Sequence, residues 1–224
     1  MSSSVARSER RKKALATVPV DKADPSNEGA ESLAEGGRKS ILLEVAARQF
    51  AKKGFDKTSM RDIAAAFGVL PGSLYHHFNS KDELFIAVYA AGVDRMIDAV
   101  AKATENIVDP WDRLEAACVA HLQELLGHEN VLAAVLADNS ISDGELRKAW
   151  AHERGRYEDL LRTLVDAVEL NAGVESRYFR LGLLGAINWT LTWYQAGGES
   201  PEQIARKLVA LFRPLGNPVQ FPPL

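Results

Sequence analysis

The residues best suited to chemistry lie at 72–79, where GSLYHHFN follows the turn-like GVLPG and precedes SKDEL. Two adjacent histidines beside a tyrosine suit metal ligation, acid–base catalysis or contact with a phosphate chain. Neighbouring helical residues diverge by about 100°, so His76 and His77 are badly placed to share one ion. His121, His128 and His152 stand on separate segments without ligand spacing, and the single Cys118 precludes a cysteine cluster or an internal disulfide. No metal and no cofactor are expected.

Acid–base or nucleophilic catalysis needs a convergent nucleophile, base and stabiliser. The sequence has no GxSxG, GxGxxG or Walker-type loop, and GRKS at 37–40 lacks the upstream glycine of a phosphate loop. Cys118 sits in the apolar stripe RLEAACVAHLQELL, as a packed residue would. A small helical enzyme is the weaker reading.

Phosphate contact fits better. On a helical wheel Pro71, Leu74 and Phe78 fall within about 60° and form the buried side. His76 lies opposite, between Gly72 and Ser73, with Tyr75 and His77 on the shoulders. So narrow an outward face can enter a DNA major groove, with the shoulders on phosphates and Gly72, Ser73 and His76 at base edges. Thr58, Ser59 and Arg61 gather at the start of the preceding helix, where free N–H groups favour phosphate. Lys81 adds a cation at the following helix start. The plainer alternative makes Tyr75 and His77 packing or capping groups. A helix-turn-helix used only for protein interaction would not require these polar residues around one surface.

These residues need three short helices to position them. Ile41, Leu42, Val45, Ala46 and Phe50 make an apolar stripe that Gly54 ends. Thr58 or Ser59 caps a second helix carrying Met60, Ile63, Ala64 and Phe67, closed by Gly68. Residues 72–78 form a two-turn third helix. Ser80 and Glu83 make a capping box that launches a long helix to about Thr104. Asp109-Pro110 starts another, and further helices are expected over 129–137, 144–170, 174–195 and 200–212. The fold is all-α: a helix-turn-helix domain at 38–84 and a ligand-binding, dimerising body at 85–224. Residues 1–37 are expected to lack regular structure, with RSERRKK at 7–13 either a basic arm for DNA or a solvated tail.

Charge follows the same division. Residues 38–84 carry eight Lys/Arg against five Asp/Glu, whereas 85–224 carry thirteen against nineteen. A basic reader on an acidic body suits a nucleic-acid partner. The N-terminus is polar and charged, and no apolar run approaches roughly 18 residues. A cytoplasmic protein without membrane contact is expected.

The segment 174–195 is apolar on both faces. Tyr178, Gly182, Gly185, Trp189, Thr192 and Trp193 share one, and Leu183, Leu184, Ile187, Leu191 and Tyr194 the other. One face meets its own domain and the other a second subunit. With Ile204, Leu208, Leu211 and Phe212 this predicts an isologous four-helix contact in a homodimer. The alternative is a core helix in a monomer.

The pattern KGF…TS…DIA…GV…G-LY-HF-SK-EL over 41–85 resembles the N-terminal domain of the TetR family of bacterial transcription regulators. The resemblance implies a homodimer on a palindromic double-stranded operator, with a C-terminal domain that senses a small molecule. It places Thr58, Tyr75, His77 and Lys81 on phosphates, and Gly72, Ser73 and His76 near bases. Leu70-Pro71 departs from the family's usual serine-containing turn and removes a hydroxyl that often touches the backbone. GAINWTLTWYQAGGESPEQIA and GSLYHHFNSKDEL resemble a branch that controls steroid and fatty-acid catabolism, whose members are repressors released by an acyl-CoA thioester. For such a ligand Arg154, Arg156, Arg177 and Arg180 supply forks for phosphate, and Trp189 and Trp193 faces for adenine. Cys118 and His121, three residues apart, complete the candidates, His121 being either a polar spot in a cavity or a satisfied core histidine. The long helix from Ser80 would be the lever between ligand and DNA.

Overall fold

In a computed structural model, described over residues 25–127 and 144–215, all regular structure among the described residues is helical. The elements are α1 (Pro25–Lys53), α2 (Met60–Phe67), α3 (Pro71–Tyr75), α4 (Lys81–Thr104), α5 (Pro110–Leu125), α6 (Gly144–Asp166), α7 (Ser176–Trp189) and α8 (Pro201–Phe212). Short 3-10 turns follow α7 at Thr190–Thr192 and α8 at Arg213–Leu215. The chain divides into two units, 1–39 and 40–224. The first contributes the opening of α1, which begins at Pro25. Residues 25–37, expected to be irregular, are therefore helical despite three glycines: adding turns to an existing helix avoids the cost of nucleation. The stretch 7–13, the helix expected at 129–137 and His128 lie outside the described residues.

Local sequence sets the helix ends in the second unit. Gly54 and Gly68 adopt φ of 79° and 81°, the left-handed conformation that lets a chain leave a helix within one residue. Ser59, not Thr58, caps α2 in a full capping box with Asp62. Ser80 accepts from the Glu83 N–H at 3.0 Å, but Glu83 reaches back to Asn79, taking its N–H at 2.8 Å and its side-chain amide at 3.0 Å. The expected box is thus displaced by one residue, because Asn79 offers two donors to one carboxylate.

Phe50, Phe55 and Phe85 pack edge to face with centroids 5.2 and 4.8 Å from Phe85. Burying a ring such as Phe85 stabilises by about 1.5–3 kcal/mol, and here it ties the first turn of α4 into the small helices. The expected boundary at 84/85 is crossed by α4, and one apolar core runs from Leu42 to Val209. In the body α5 packs against α4, α6, α7 and α8.

Two helices are shorter than the periodicity suggests. Thr190 bonds the Ile187 carbonyl at 2.7 Å and Thr192 that of Trp189 at 2.8 Å. These back-bonding threonines tighten the chain into a 3-10 turn, so α7 stops at Trp189 and Trp193 lies beyond it. The third helix starts at Pro71 and ends at Tyr75, where the His77 and Phe78 N–H groups both bond the Leu74 carbonyl, at 3.0 and 2.9 Å.

Candidate functional site

The short helix α3 is anchored from below. Leu74 and Phe78 are buried and Pro71 half-buried, leaving Gly72, Ser73, Tyr75, His76 and His77 exposed. That is the division the helical wheel expects. Leu70, which caps α3 without a side-chain hydrogen bond, is 78% exposed.

The flanking residues divide differently from the expectation. Thr58 is buried, and its hydroxyl donates to the carbonyls of Gly54 at 2.7 Å and Gln49 at 3.2 Å. Its N–H donates to Phe55 at 3.2 Å. Both donors serve the turn after α1, so Thr58 offers none to a phosphate. Ser59 directs its N–H (2.9 Å) and its hydroxyl to the Asp62 carboxylate. The Lys53 ammonium, 2.7 Å away, and the Ser59 bonds hold Asp62 well below the usual carboxylate range. A carboxylate thus already sits at the α2 N-terminus; the Met60 and Arg61 N–H groups have no intrahelical partner there, and the Arg61 side chain is exposed. Lys81 donates to the Phe55 carbonyl at 2.8 Å and lies 4.1 Å from that ring's centroid, which fixes its ammonium against the turn after α1.

The body holds a cleft of about 470 Å³, its open mouth included, lined by Tyr89, Val93 and Met96 of α4, His121 and Leu125 of α5, Arg154, Tyr157 and Glu158 of α6, and Leu184 and Asn188 of α7. A smaller recess behind it shares His121, Tyr157 and Leu184 and adds Cys118 and Arg180. His121 joins the two. Its Nδ1 lies 2.6 Å from the Tyr157 hydroxyl and its Nε2 3.0 Å from Asn188 Oδ1. Since Asn188 Oδ1 only accepts, Nε2 carries the proton and the Tyr157 hydroxyl donates to Nδ1. Burial pulls the His121 pKa down to about 4 against the smaller opposing effect of the Asn188 bond, so the imidazole is neutral at pH 7. Burial also pushes the Cys118 thiol up to about 12 and the Tyr157 phenol well above its ordinary value. The polar centre of the cleft is thus a hydrogen-bonded set of Tyr157, neutral His121 and Asn188.

Cations flank it. Arg154 Nε pairs with Glu158 at 3.0 Å, and Arg180 Nη1 approaches the same carboxylate at 3.5 Å. The Arg180 nitrogen is buried and makes no hydrogen bond within the described residues. The remaining candidates stand apart. Arg156 pairs with Asp94 and Glu153 at 2.7 and 2.8 Å, Arg177 lies against Tyr178, and Trp189 and Trp193 are outside the lining. Sequence reasoning missed Tyr157 and Asn188. Tyr157 shares helical spacing with buried Leu161 and Leu164 and reads as core; Asn188 stands in the run LLGAINW with no spacing signal.

The face of α7 that carries Tyr178, Gly182, Gly185 and Trp189 is open. Tyr178, Leu181, Gly182, Gly185 and Trp189 are exposed, Trp189 to 66%, while Leu183 and Ile187 are buried in the chain's own core. Two expected contributors work within the chain instead. Ile204 is buried there, and a Cβ on Gly182 would lie 3.4 Å from the ring of Phe212, which itself packs on Phe179. Leu211 is exposed and Leu208 half-buried. Among the described residues no group of three His, Cys, Asp or Glu side chains could hold a metal, and no helix is long and apolar enough to cross a membrane.

Comparison with known proteins gives a consistent picture. Residues 42–88 match "Bacterial regulatory proteins, tetR family", and 108–215 match "Tetracyclin repressor-like, C-terminal domain". The chain is similar to the HTH-type transcriptional repressor Rv1474c of Mycobacterium tuberculosis, 39% identical over 76% of this chain and 89% of that protein. It is 28% identical to the HTH-type transcriptional repressor KstR2 of M. tuberculosis, covering 78% and 90%. Among solved structures it resembles AibR in complex with isovaleryl coenzyme A and operator DNA, with TM-score 0.68, 27% identity, and coverage of 78% and 97%.

Proposed function

The chain belongs to the TetR family of bacterial regulatory proteins, and from that premise we propose a ligand-released repressor that binds a palindromic operator as a homodimer. The observation that carries this reading is the surface of α3: Gly72, Ser73 and His76 outward, Tyr75 and His77 beside them, and Leu74 and Phe78 holding the helix to its base. Arg61 and the pinned ammonium of Lys81 supply the phosphate-facing charge. Thr58 acts on binding only by shaping the turn.

The effector seat is the cleft around His121. Apolar walls with few polar groups suit an acyl body, and Arg154 at the mouth suits an anionic head such as a coenzyme A phosphate. The AibR complex with isovaleryl coenzyme A supports this class of ligand. The link to DNA is α4. Tyr89, Val93 and Met96 line the cleft, while Phe85 and Lys81 of the same helix are fixed to the DNA-reading unit. At 1.5 Å per residue roughly 18 Å separates Lys81 from Val93, so a ligand that displaces the middle of α4 tilts α3. It weakens operator affinity only by its preference for the tilted state. The open face with Tyr178, Leu181, Gly185, Trp189 and Leu211 is the proposed subunit contact, since an apolar patch of this kind marks an interaction surface.

A mobility-shift titration of the full chain on DNA selected from a random duplex library, repeated across a salt series, tests the reading. Affinity should fall steeply as salt rises. Binding indifferent to salt, or no enrichment of any duplex, would remove DNA reading from the account.

A further inference from the structure

Resting on DNA reading by α3, we propose that Leu70 is a specificity-determining residue that reads the 5-methyl group of a thymine in each operator half-site. Leu70 stands immediately before Pro71, at the end of α3 that leads into the groove, with its side chain 78% exposed. Its carbonyl accepts from the Ser73 N–H at 2.9 Å, and the isobutyl group faces outward. The position is one where leucine is a poor choice for folding. An N-cap favours Ser, Asn or Asp, whose side chain satisfies a first-turn N–H, and α3 has no side-chain cap. Among the described residues Leu70 is left largely uncovered, and it contributes little to the core.

Its neighbours define what would cover it. Ser73 is exposed within the same five-residue helix and His76 just after its end, and Gly72 adds no side chain between Leu70 and Ser73. In a recognition helix the N-terminal residues approach base edges in the major groove. The apolar feature that groove presents is the thymine methyl, which distinguishes T from C without a hydrogen bond. An aliphatic group at this position cannot hydrogen-bond a phosphate, so the contact it suits is a base-dependent one.

Replacing thymine with deoxyuridine removes only that methyl. A duplex selected by the full-length protein should be substituted one symmetric thymine pair at a time, and its affinity measured for the wild type and for Leu70→Ser. Removing one buried methyl-sized group is worth about fourfold. With a pair substituted, wild-type affinity should drop by roughly fourfold to sixteenfold at one position only, and Leu70→Ser should show no such drop there. Leu70→Ser should also melt at the same temperature or higher, because it restores a cap, which separates lost reading from lost folding. Equal sensitivity of wild type and variant at every thymine, or no sensitivity in either, overturns the role of Leu70. Failure to select any duplex would instead defeat the DNA-reading premise.

Discussion

Acidification should destabilise this protein through His121 in a calculable way. The buried imidazole has a pKa of about 4, against 6.5 for the ordinary group, so between these values the unfolded chain binds more protons than the folded one. Stability therefore rises with pH across that window. The His121 contribution is fully present above about 6.5 and is lost as pH falls toward about 4. A shift of this size corresponds to roughly 3 kcal/mol, of which roughly 2–3 kcal/mol is lost between pH 7.5 and 4.5. For a domain of this size that is about 5–10 °C in melting temperature. Cys118 and Tyr157, which line the recess with His121, are both shifted upward and stay protonated throughout, and Asp62 titrates below the window. The assay is urea unfolding at pH 7.5, 6 and 4.5 for the wild type and for His121→Gln, comparing slopes with pH rather than absolute stabilities. The wild type should lose the additional 2–3 kcal/mol. Parallel pH dependence in the two proteins would mean that His121 is not the neutral, buried hinge of the cleft described above.

Other changes have distinct expected outcomes. Tyr157→Phe removes the donor to His121 Nδ1 and should cost about 1–3 kcal/mol, read by denaturant midpoint; an unchanged midpoint would mean that water reaches the site freely. Thr58→Val should lower stability by about 1 kcal/mol and leave DNA sequence preference and salt slope unaltered; a smaller salt slope in a fully folded variant would restore Thr58 as a phosphate contact. His76→Ala should change base preference in a selection experiment more than overall affinity, whereas Tyr75→Phe should weaken all sequences alike; uniform loss in both would erase the division between reading and anchoring. Gly185→Glu on the open face of α7 should yield a monomer by analytical ultracentrifugation, with operator binding reduced at least tenfold; a dimer of undiminished affinity would move the subunit contact elsewhere.

Much of the DNA-reading unit was legible because its signals are local. Glycines at 54 and 68, a serine cap at 59 and a proline at 71 each dictate backbone geometry within a few residues. The periodicity of Leu74 and Phe78 fixes which side of α3 is buried. The residues proposed to meet phosphate were less legible, because residue type does not reveal which donors are already engaged. Thr58 looks available until the carbonyls of Gly54 and Gln49 are seen around it. The cleft was least legible. His121, Tyr157 and Asn188 are separated by 36 and 31 positions and meet only through the packing of α5, α6 and α7. Tryptophans at 189 and 193 suggest a ligand box by type alone, yet the threonine-tightened end of α7 leaves both outside it.

The central claim is that a ligand in the His121 cleft, acting through α4, loosens α3 from DNA. Fluorescence anisotropy of the full-length protein on its selected duplex, titrated with isovaleryl coenzyme A and longer-chain acyl coenzyme A thioesters, tests it most directly. At least one thioester should release the duplex with saturable dependence, and Met96→Trp, which fills the cleft from α4, should blunt that release while leaving ligand-free affinity within a few fold. Tighter DNA binding on addition of the thioester, or release undiminished in Met96→Trp, would contradict the account.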